Sequence, residues 1–213
     1  MAHIALLGDS ILDNGAYTGG QPDVVTHLRR LLPPGTTASL LAVDGATTAD
    51  VARQIARLPN DVTHAVVSMG GNDALHNADA LHLPVASTGQ ALAIFGQRAA
   101  VFEASYRRVL AAVVARLPNT TVCTVYNGNL PGDEGALARM GLVFFNDVIL
   151  RAAFELGLPV IDLRLVVRDA ADYANAIEPS SNGAEKIARS IVASLGDTGS
   201  APATSRVFGG DTA

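Results

Sequence analysis

Two short turns carry the residue types that could do chemistry. Gly8-Asp9-Ser10 places a serine hydroxyl directly after the apolar run Ile4 to Leu7, and Gly70-Gly71-Asn72-Asp73 places a side-chain amide directly after the run Ala65 to Met69. A serine hydroxyl becomes a nucleophile when a neighbouring base can take its proton. An Asn side chain donates hydrogen bonds without adding charge. Gly45 follows a third run, Ser39 to Val43, and a glycine there lets the backbone approach a ligand closely. If the three runs are strands of one sheet, their turns converge at one edge although they are far apart in sequence. Asp9 is expected to brace its turn by hydrogen bonding, and Asp13-Asn14-Gly15 reads as a turn.

The elements around these turns alternate. Further strands are expected at Thr121 to Tyr126 and Val160 to Leu163, each a short apolar run of the kind buried in a parallel sheet. Between them lie helical patterns, the clearest with Phe95, Ala99, Phe102, Tyr106, Val109, Val113 and Leu117 at three- and four-residue spacing, a stripe that should face the sheet. Others run from about Asp23 to Leu32, Thr48 to Leu58 and Ala136 to Leu156, and a last one begins near Asn182 as N-cap with Glu185 three residues on. Alternation of this kind implies an α/β fold with right-handed crossovers and a parallel sheet covered on both faces. Ligands of such sheets bind beyond the carboxyl ends of the strands, where the Ser10, Gly45 and Asn72 turns lie.

At 213 residues the chain fits one domain, since single cores keep growing to roughly 250 to 300 residues. We expect that domain over 1–196 and a flexible tail over 197–213, rich in Gly, Ser, Thr, Ala and Asp with little to bury.

The turns, in this order, resemble the blocks of the SGNH/GDSL hydrolases: a Gly-Asp-Ser turn, a glycine after strand two and a Gly-x-Asn-Asp turn after strand three. The resemblance runs from Gly8 to the final helix. It implies a three-layer α/β/α sandwich with a central parallel sheet of about five strands, and hydrolysis of carboxylic esters without a cofactor. Residue by residue, it makes Ser10 the nucleophile. It also makes the backbone amides of Ser10 and Gly45 and the side-chain amide of Asn72 the oxyanion hole, where each fixed donor can be worth roughly 3 to 4 kcal/mol. The pocket-forming segments are then about Ala74 to Gln90 and Asn127 to Ala138, whose small and apolar residues favour a neutral small-molecule ester with a short or medium acyl group.

The fourth block departs from the family. Asp-x-x-His-Pro is replaced by Asn175-Ala176-Ile177-Glu178-Pro179, which puts Glu178 in the place of the histidine base and Asn175 in the place of the acid that orients it. Ordinary Glu has a pKa of about 4.3 and His about 6.5, so the exchange loses roughly 3 kcal/mol of proton-transfer driving force. Burial beside Ile177 and Pro179 could recover much of it by raising the glutamate toward about 6 or 7. Three readings stand side by side. Ser10 and Glu178 form a catalytic pair; or the fold keeps its pocket and binds a small ligand with little or no catalysis; or a histidine from elsewhere serves as base. His76 is the candidate for the third, carried on a loop after strand three. Taken by itself, Glu178 also reads as a surface carboxylate that caps the last helix.

Other classes find less support. A net charge of −5 and a pI near 5.4 leave no basic footprint for nucleic acid. No G-x-G-x-x-G follows the first strand and no phosphate loop with Gly-Lys-Ser/Thr occurs, so a nucleotide site is not expected. The acidic and imidazole groups His76, Asp79 and His82 read as solvated loop residues, and no metal is expected. No apolar run approaches the roughly 20 residues of a membrane span. With no cationic leader and Cys123 as the single cysteine, a cytoplasmic location is expected.

Overall fold

The apolar runs become strands because they are bounded by turn formers and, in the centre of the sheet, bury both of their faces. The computed structural model describes residues 2–195 and 206–208. It places β1 (His3–Gly8), β3 (His64–Ser68), β4 (Thr120–Cys123) and β5 (Val160–Ile161) on four of the expected runs, while β2 (Thr37–Leu40) begins and ends earlier than the expected run Ser39 to Val43 and overlaps it at Ser39 and Leu40. A sixth strand, β6 (Val207–Phe208), joins these five, in keeping with a sheet of about five strands, and lies within the stretch expected as tail. Val207 and Phe208 pair in parallel with Val160 and Ile161, and Phe208 packs on the core. A two-residue strand has too little pattern to be read from sequence. The remaining tail residues, 197–205 and 209–213, lie outside the described residues. Among the described residues the strands form one parallel sheet in the order β2-β1-β3-β4-β5-β6.

Side chains alternate across this sheet with period two. Ala5, Leu7, Ala65, Val67, Val122 and Val160 enter one apolar cluster, while Ile4, Leu6, Val66, Cys123 and Ile161 enter the other. The first cluster is closed by α2 (Val51–Ile55), α4 (Thr88–Arg116) and α5 (Gly132–Glu155); the second by α1 (Val24–Leu31), α6 (Leu163–Val166) and α7 (Ser181–Leu195). The result is the expected three-layer α/β/α sandwich. The stripe on α4 faces the sheet through Phe102, Tyr106, Val109, Val113 and Leu117, with Ala99 packed beside them. No helix among the described residues is long and apolar enough to cross a membrane.

Two local expectations change. The segment after β3 is a short helix, α3 (Gly71–His76), rather than a loop. Helix α7 begins before Asn182: the Ser180 hydroxyl accepts from the Gly183 N–H at 3.3 Å, and Glu185 instead pairs with Arg189 one turn later. Gly183 is required there, since a Cβ would stand 2.3 Å from the Asp172 carbonyl oxygen.

The order of strands sets the position of the site. Successive strands are laid to opposite sides of β1, so a crevice opens at the carboxyl ends of β1 and β3, the switch point where parallel sheets bind ligands. The two ends come together because Gly8 has no side chain. A Cβ at this residue (φ +134°) would stand 1.6 Å from the Ser68 carbonyl oxygen, and the next amide, Asp9 N–H, donates to that same oxygen at 3.1 Å.

Gln54 of α2 secures Gly8 from the other direction. Its Oε1 accepts from the Gly8 N–H and its Nε2 donates to the Gly8 carbonyl, both at 2.8 Å and buried. The Gly8 carbonyl also receives Val43 N–H, so loss of Gln54 strands chiefly the Gly8 amide. Gln54→Leu, similar in size but without polar atoms, is expected to destabilise the fold by roughly 2–3 kcal/mol. A urea midpoint equal to that of the parent would contradict a structural role for this amide.

Candidate active site

Past Gly8 the chain coils immediately. Leu12 and Asp13 N–H groups both donate to the Asp9 carbonyl, at 3.1 and 3.0 Å, and Asp9 Oδ1 accepts from Ile11 N–H at 3.1 Å. Asp9 therefore braces the turn, as expected from its residue type. Ser10 is held on the wall of a cavity of about 120 Å³. At 8 % exposure it is more enclosed than a turn at a sheet edge requires, and the cavity is its access to solvent.

A second segment, 168 residues away in sequence, supplies the partner. Asn175 Oδ1 accepts from both Ile177 and Glu178 N–H groups at 2.9 Å, which closes a tight turn. The Ala174 N–H donates to the Glu178 carbonyl at 2.8 Å, and Tyr173 bridges to Pro179. Asn175 thus shapes the backbone that carries Glu178 and does not itself reach into the cavity. Three bonds tie this turn to the segments that follow β1 and β4: Asn14 Nδ2 donates to the Pro179 carbonyl at 3.0 Å, Asn129 N–H donates to the Ala176 carbonyl at 2.8 Å, and the Tyr126 hydroxyl donates to the Ile177 carbonyl. So anchored, Glu178 Oε1 accepts from the Ser10 hydroxyl at 3.2 Å.

Glu178 is buried, and its other oxygen, Oε2, has no hydrogen-bond partner among the described residues. Burial pushes its carboxyl above the ordinary glutamate range; the Ser10 bond partly offsets this, and the negative charge of Asp44 adds to it. A carboxylate in this state is a stronger base than one in water, and it already accepts the hydrogen bond of the Ser10 hydroxyl. The reading of Glu178 as an exposed helix cap does not match the structure, where Ser180 caps α7.

The third strand brings the amide. Gly70 (φ +118°) turns the chain from β3 into α3 while leaving room for the Phe102 ring, 3.0 Å from where a Cβ would lie. Asn72 then lines the same cavity as Ser10 and Glu178, and its Nδ2 donates to the Ala46 carbonyl at 3.0 Å. That bond uses one of the two amide hydrogens. It also links Asn72 to the turn of Gly45 (φ +78°), which is exposed beside the cavity rather than part of its lining. Next to it, Asp73 Oδ2 accepts from the Thr48 amide and hydroxyl at 2.8 and 3.0 Å, joining the turns after β2 and β3.

His76 is brought to neither place. It is the exposed last residue of α3 and does not line the cavity. Asp79 pairs with Arg98 at 2.9 Å and His82 approaches Glu134 at 3.7 Å. Among the described residues no group of three or more His, Cys, Asp or Glu side chains is placed to hold a metal ion.

Two contributors were not singled out by sequence. Asn14, read only as part of a turn, is fully buried and spans the site: Nδ2 on Pro179, Oδ1 accepting from Val24 N–H at 3.0 Å. The other is Gln54, a polar residue within the expected helix Thr48 to Leu58. Long-range bonds of this kind leave no periodic trace. The cavity itself is lined by the two expected segments through Ala74, Leu75, Ala78, Leu81, Gly128, Leu130 and Ala138, and also by Phe95 of α4 and by α5.

The comparisons with known proteins bear on the family and the fold. The profile of the GDSL-like lipase/acylhydrolase family matches residues 6–186. Similar solved structures include an extracellular lipase from Streptomyces rimosus, 18% identical with a TM-score of 0.66 over 92% of this chain and 99% of that one. A phospholipase A1 from Streptomyces albidoflavus NA297 is 18% identical with a TM-score of 0.67, over 92% of this chain and 98% of that one. The acetylxylan esterase Axe2 from Geobacillus stearothermophilus is 18% identical with a TM-score of 0.64, over 92% and 94%. At such identities the likeness is one of fold. No curated protein matches the sequence.

Asp9 gives this site a measurable signature. Burial, set against the Ile11 amide and reinforced by the charges of Glu178 and Asp73, raises its carboxyl from the usual 3.8 to about 7. Between those values the unfolded chain loses the proton while the folded chain keeps it, so stability falls as pH rises through the window, by about 4 kcal/mol in total. Asp9→Asn keeps the acceptor for Ile11 and never ionises. Its melting temperature is expected to exceed that of the parent at pH 8, with the difference shrinking toward pH 4; a constant difference across that range would refute the burial argument.

Proposed function

The chain belongs to the GDSL-like lipase/acylhydrolase family, and we propose that it hydrolyses small-molecule carboxylic esters through an acyl-serine at Ser10, with Glu178 as general base. The observation that carries this reading is the 3.2 Å hydrogen bond from the Ser10 hydroxyl to a buried carboxylate, inside a cavity that Asn72 also lines. Ser10 Oγ attacks the ester carbonyl carbon as its proton passes to Glu178. The negative charge that develops on the carbonyl oxygen is met by the Ser10 and Gly45 amides and by the second hydrogen of the Asn72 amide. Collapse of the tetrahedral species expels the alcohol, which takes the proton from Glu178. Water then repeats the sequence on the acyl-serine and frees the acid.

Three features support a glutamate in this role. Desolvation raises its pKa toward the working range of a general base, which reduces the disadvantage relative to imidazole. Asn175 spends its side chain on the turn that carries Glu178, and a carboxylate base leaves no imidazolium for an adjacent acid to steady. The exposed position of His76 outside the cavity favours Glu178 over it. The largely apolar lining suits a neutral ester.

The test is kcat/KM on p-nitrophenyl butyrate. Ser10→Ala is expected to fall to the uncatalysed background, Glu178→Gln by roughly 10²- to 10⁴-fold, and His76→Ala to stay close to the parent. Full activity in Ser10→Ala would remove the nucleophile from the account. Full activity in Glu178→Gln with a dead His76→Ala would move the base. A parent protein that neither turns over short esters nor reacts with a serine-directed organophosphate would instead be a binding protein.

A further inference from the structure

Asp9, Asn77 and Asn127 line the cavity along with Ser10, Asn72 and Glu178, but one of its walls, formed by Leu81, Phe95, Gly141, Leu142 and Phe145, is apolar. Gly141 lies within α5, where glycine is the least favourable residue apart from proline. Nothing in the backbone calls for it. Its φ is not positive, and a Cβ would meet only Leu81 Cδ2 at 3.5 Å and Phe95 Cε1 at 3.8 Å, ordinary van der Waals contact. Gly135 in the same helix is the opposite case, since a Cβ there would stand 2.0 Å from the Leu130 carbonyl oxygen. What the missing side chain of Gly141 does is keep open the space between α5 and the wall formed by Leu81 and Phe95.

We propose that this space is the acyl pocket and that Gly141 sets the chain length it accepts. The inference rests on the ester-hydrolase reading above and adds the substrate class: esters of linear apolar acids, with the carbonyl at Ser10 and the end of the chain between Gly141, Leu81 and Phe95. A cavity of roughly 150 Å³ lined by apolar side chains takes up benzene, six carbons. One of about 120 Å³ therefore suits about four to six. A charged or hydroxylated acyl group would find no partner along Leu142 and Phe145.

The experiment measures kcat/KM on p-nitrophenyl acetate, butyrate, hexanoate and decanoate for the parent, Gly141→Ala and Gly141→Leu. In the parent each buried methylene is expected to raise kcat/KM up to roughly fourfold, the equivalent of about 0.8 kcal/mol, with the rise ending near hexanoate. In Gly141→Leu the hexanoate-to-acetate ratio is expected to fall by roughly tenfold or more. Gly141→Ala should lie between the two while melting above the parent, because alanine favours the helix; it carries the test if the leucine variant fails to fold. An unchanged ratio in a folded Gly141 variant, or a parent that prefers acetate, overturns the proposal. A second readout needs no turnover: hexanamide should raise the melting temperature of the parent more than acetamide does, and should lose that advantage in the leucine variant. If esters are not hydrolysed yet this shift is present and lost as described, the catalytic reading fails and the acyl pocket stands. If hexanamide gives no shift, the pocket fails whatever the kinetics.

Discussion

Glu178 is a carboxylate kept out of water against a single hydroxyl, and most of the architecture around the site follows from that. A buried anion is costly unless other groups compensate, and here Ser10 gives one hydrogen bond while Oε2 has none among the described residues. The cost appears as a raised pKa, which in the proposed mechanism brings Glu178 closer to the working range of a general base. Such a group cannot be left to find its own position. Asn175 fixes its turn from within, and Asn14, Asn129 and Tyr126 fix it to the rest of the fold. The site is a rigid frame around one uncomfortable charge.

That frame is continuous with the sheet. The approach of β1 to β3 at Gly8 and Ser68 sets the place of Ser10, and the amide of Gln54 holds the same residue from α2. Asn72 and Asp73, one step after β3, reach back to Ala46 and Thr48 after β2. Three strand ends and the turn before α7 are thus linked by side-chain amides and carboxylates, so a ligand in the crevice meets groups whose positions are already settled. Such preorganised donors are the ordinary source of electrostatic stabilisation in acyl transfer. A second buried acid, Asp9, shares this neighbourhood, and its elevation to about 7 reflects the same shortage of water and of positive charge.

The layers were legible from sequence because burial on both faces imposes continuous apolar runs on strands, and burial on one face imposes a 3.6-residue stripe on helices. The run Ile4 to Leu7 and the stripe through Phe102 and Val109 both emerged where they were expected. Ser10 and Asn72 could be named as candidates from the turns that end their strands, and Glu178 from the place it takes in a block of the family that the sequence resembles; the structure brings these three to one cavity. Less was legible where the determinant is a contact between distant segments. Asn14 spanning to Pro179, Gln54 spanning to Gly8 and Gly141 facing Leu81 have no local signature. Likewise β6 is two residues long, and its pairing with β5 was hidden in a composition that reads as tail. His76 was considered because of its nearness in sequence to Asn72, but a helix after β3 turns that nearness into distance from the cavity.

In the proposed mechanism the ionisation of Glu178 controls the reactivity of Ser10. The most direct measurement is the rate at which a fluorophosphonate labels Ser10, followed by mass spectrometry as a function of pH in the parent and in Glu178→Gln. The rate in the parent should rise with pH through one ionisation lying above the usual carboxylate value of about 4.3, and that step should vanish in the glutamine variant. A labelling profile that keeps its shape in Glu178→Gln, or no labelling of Ser10 at any pH, would contradict it.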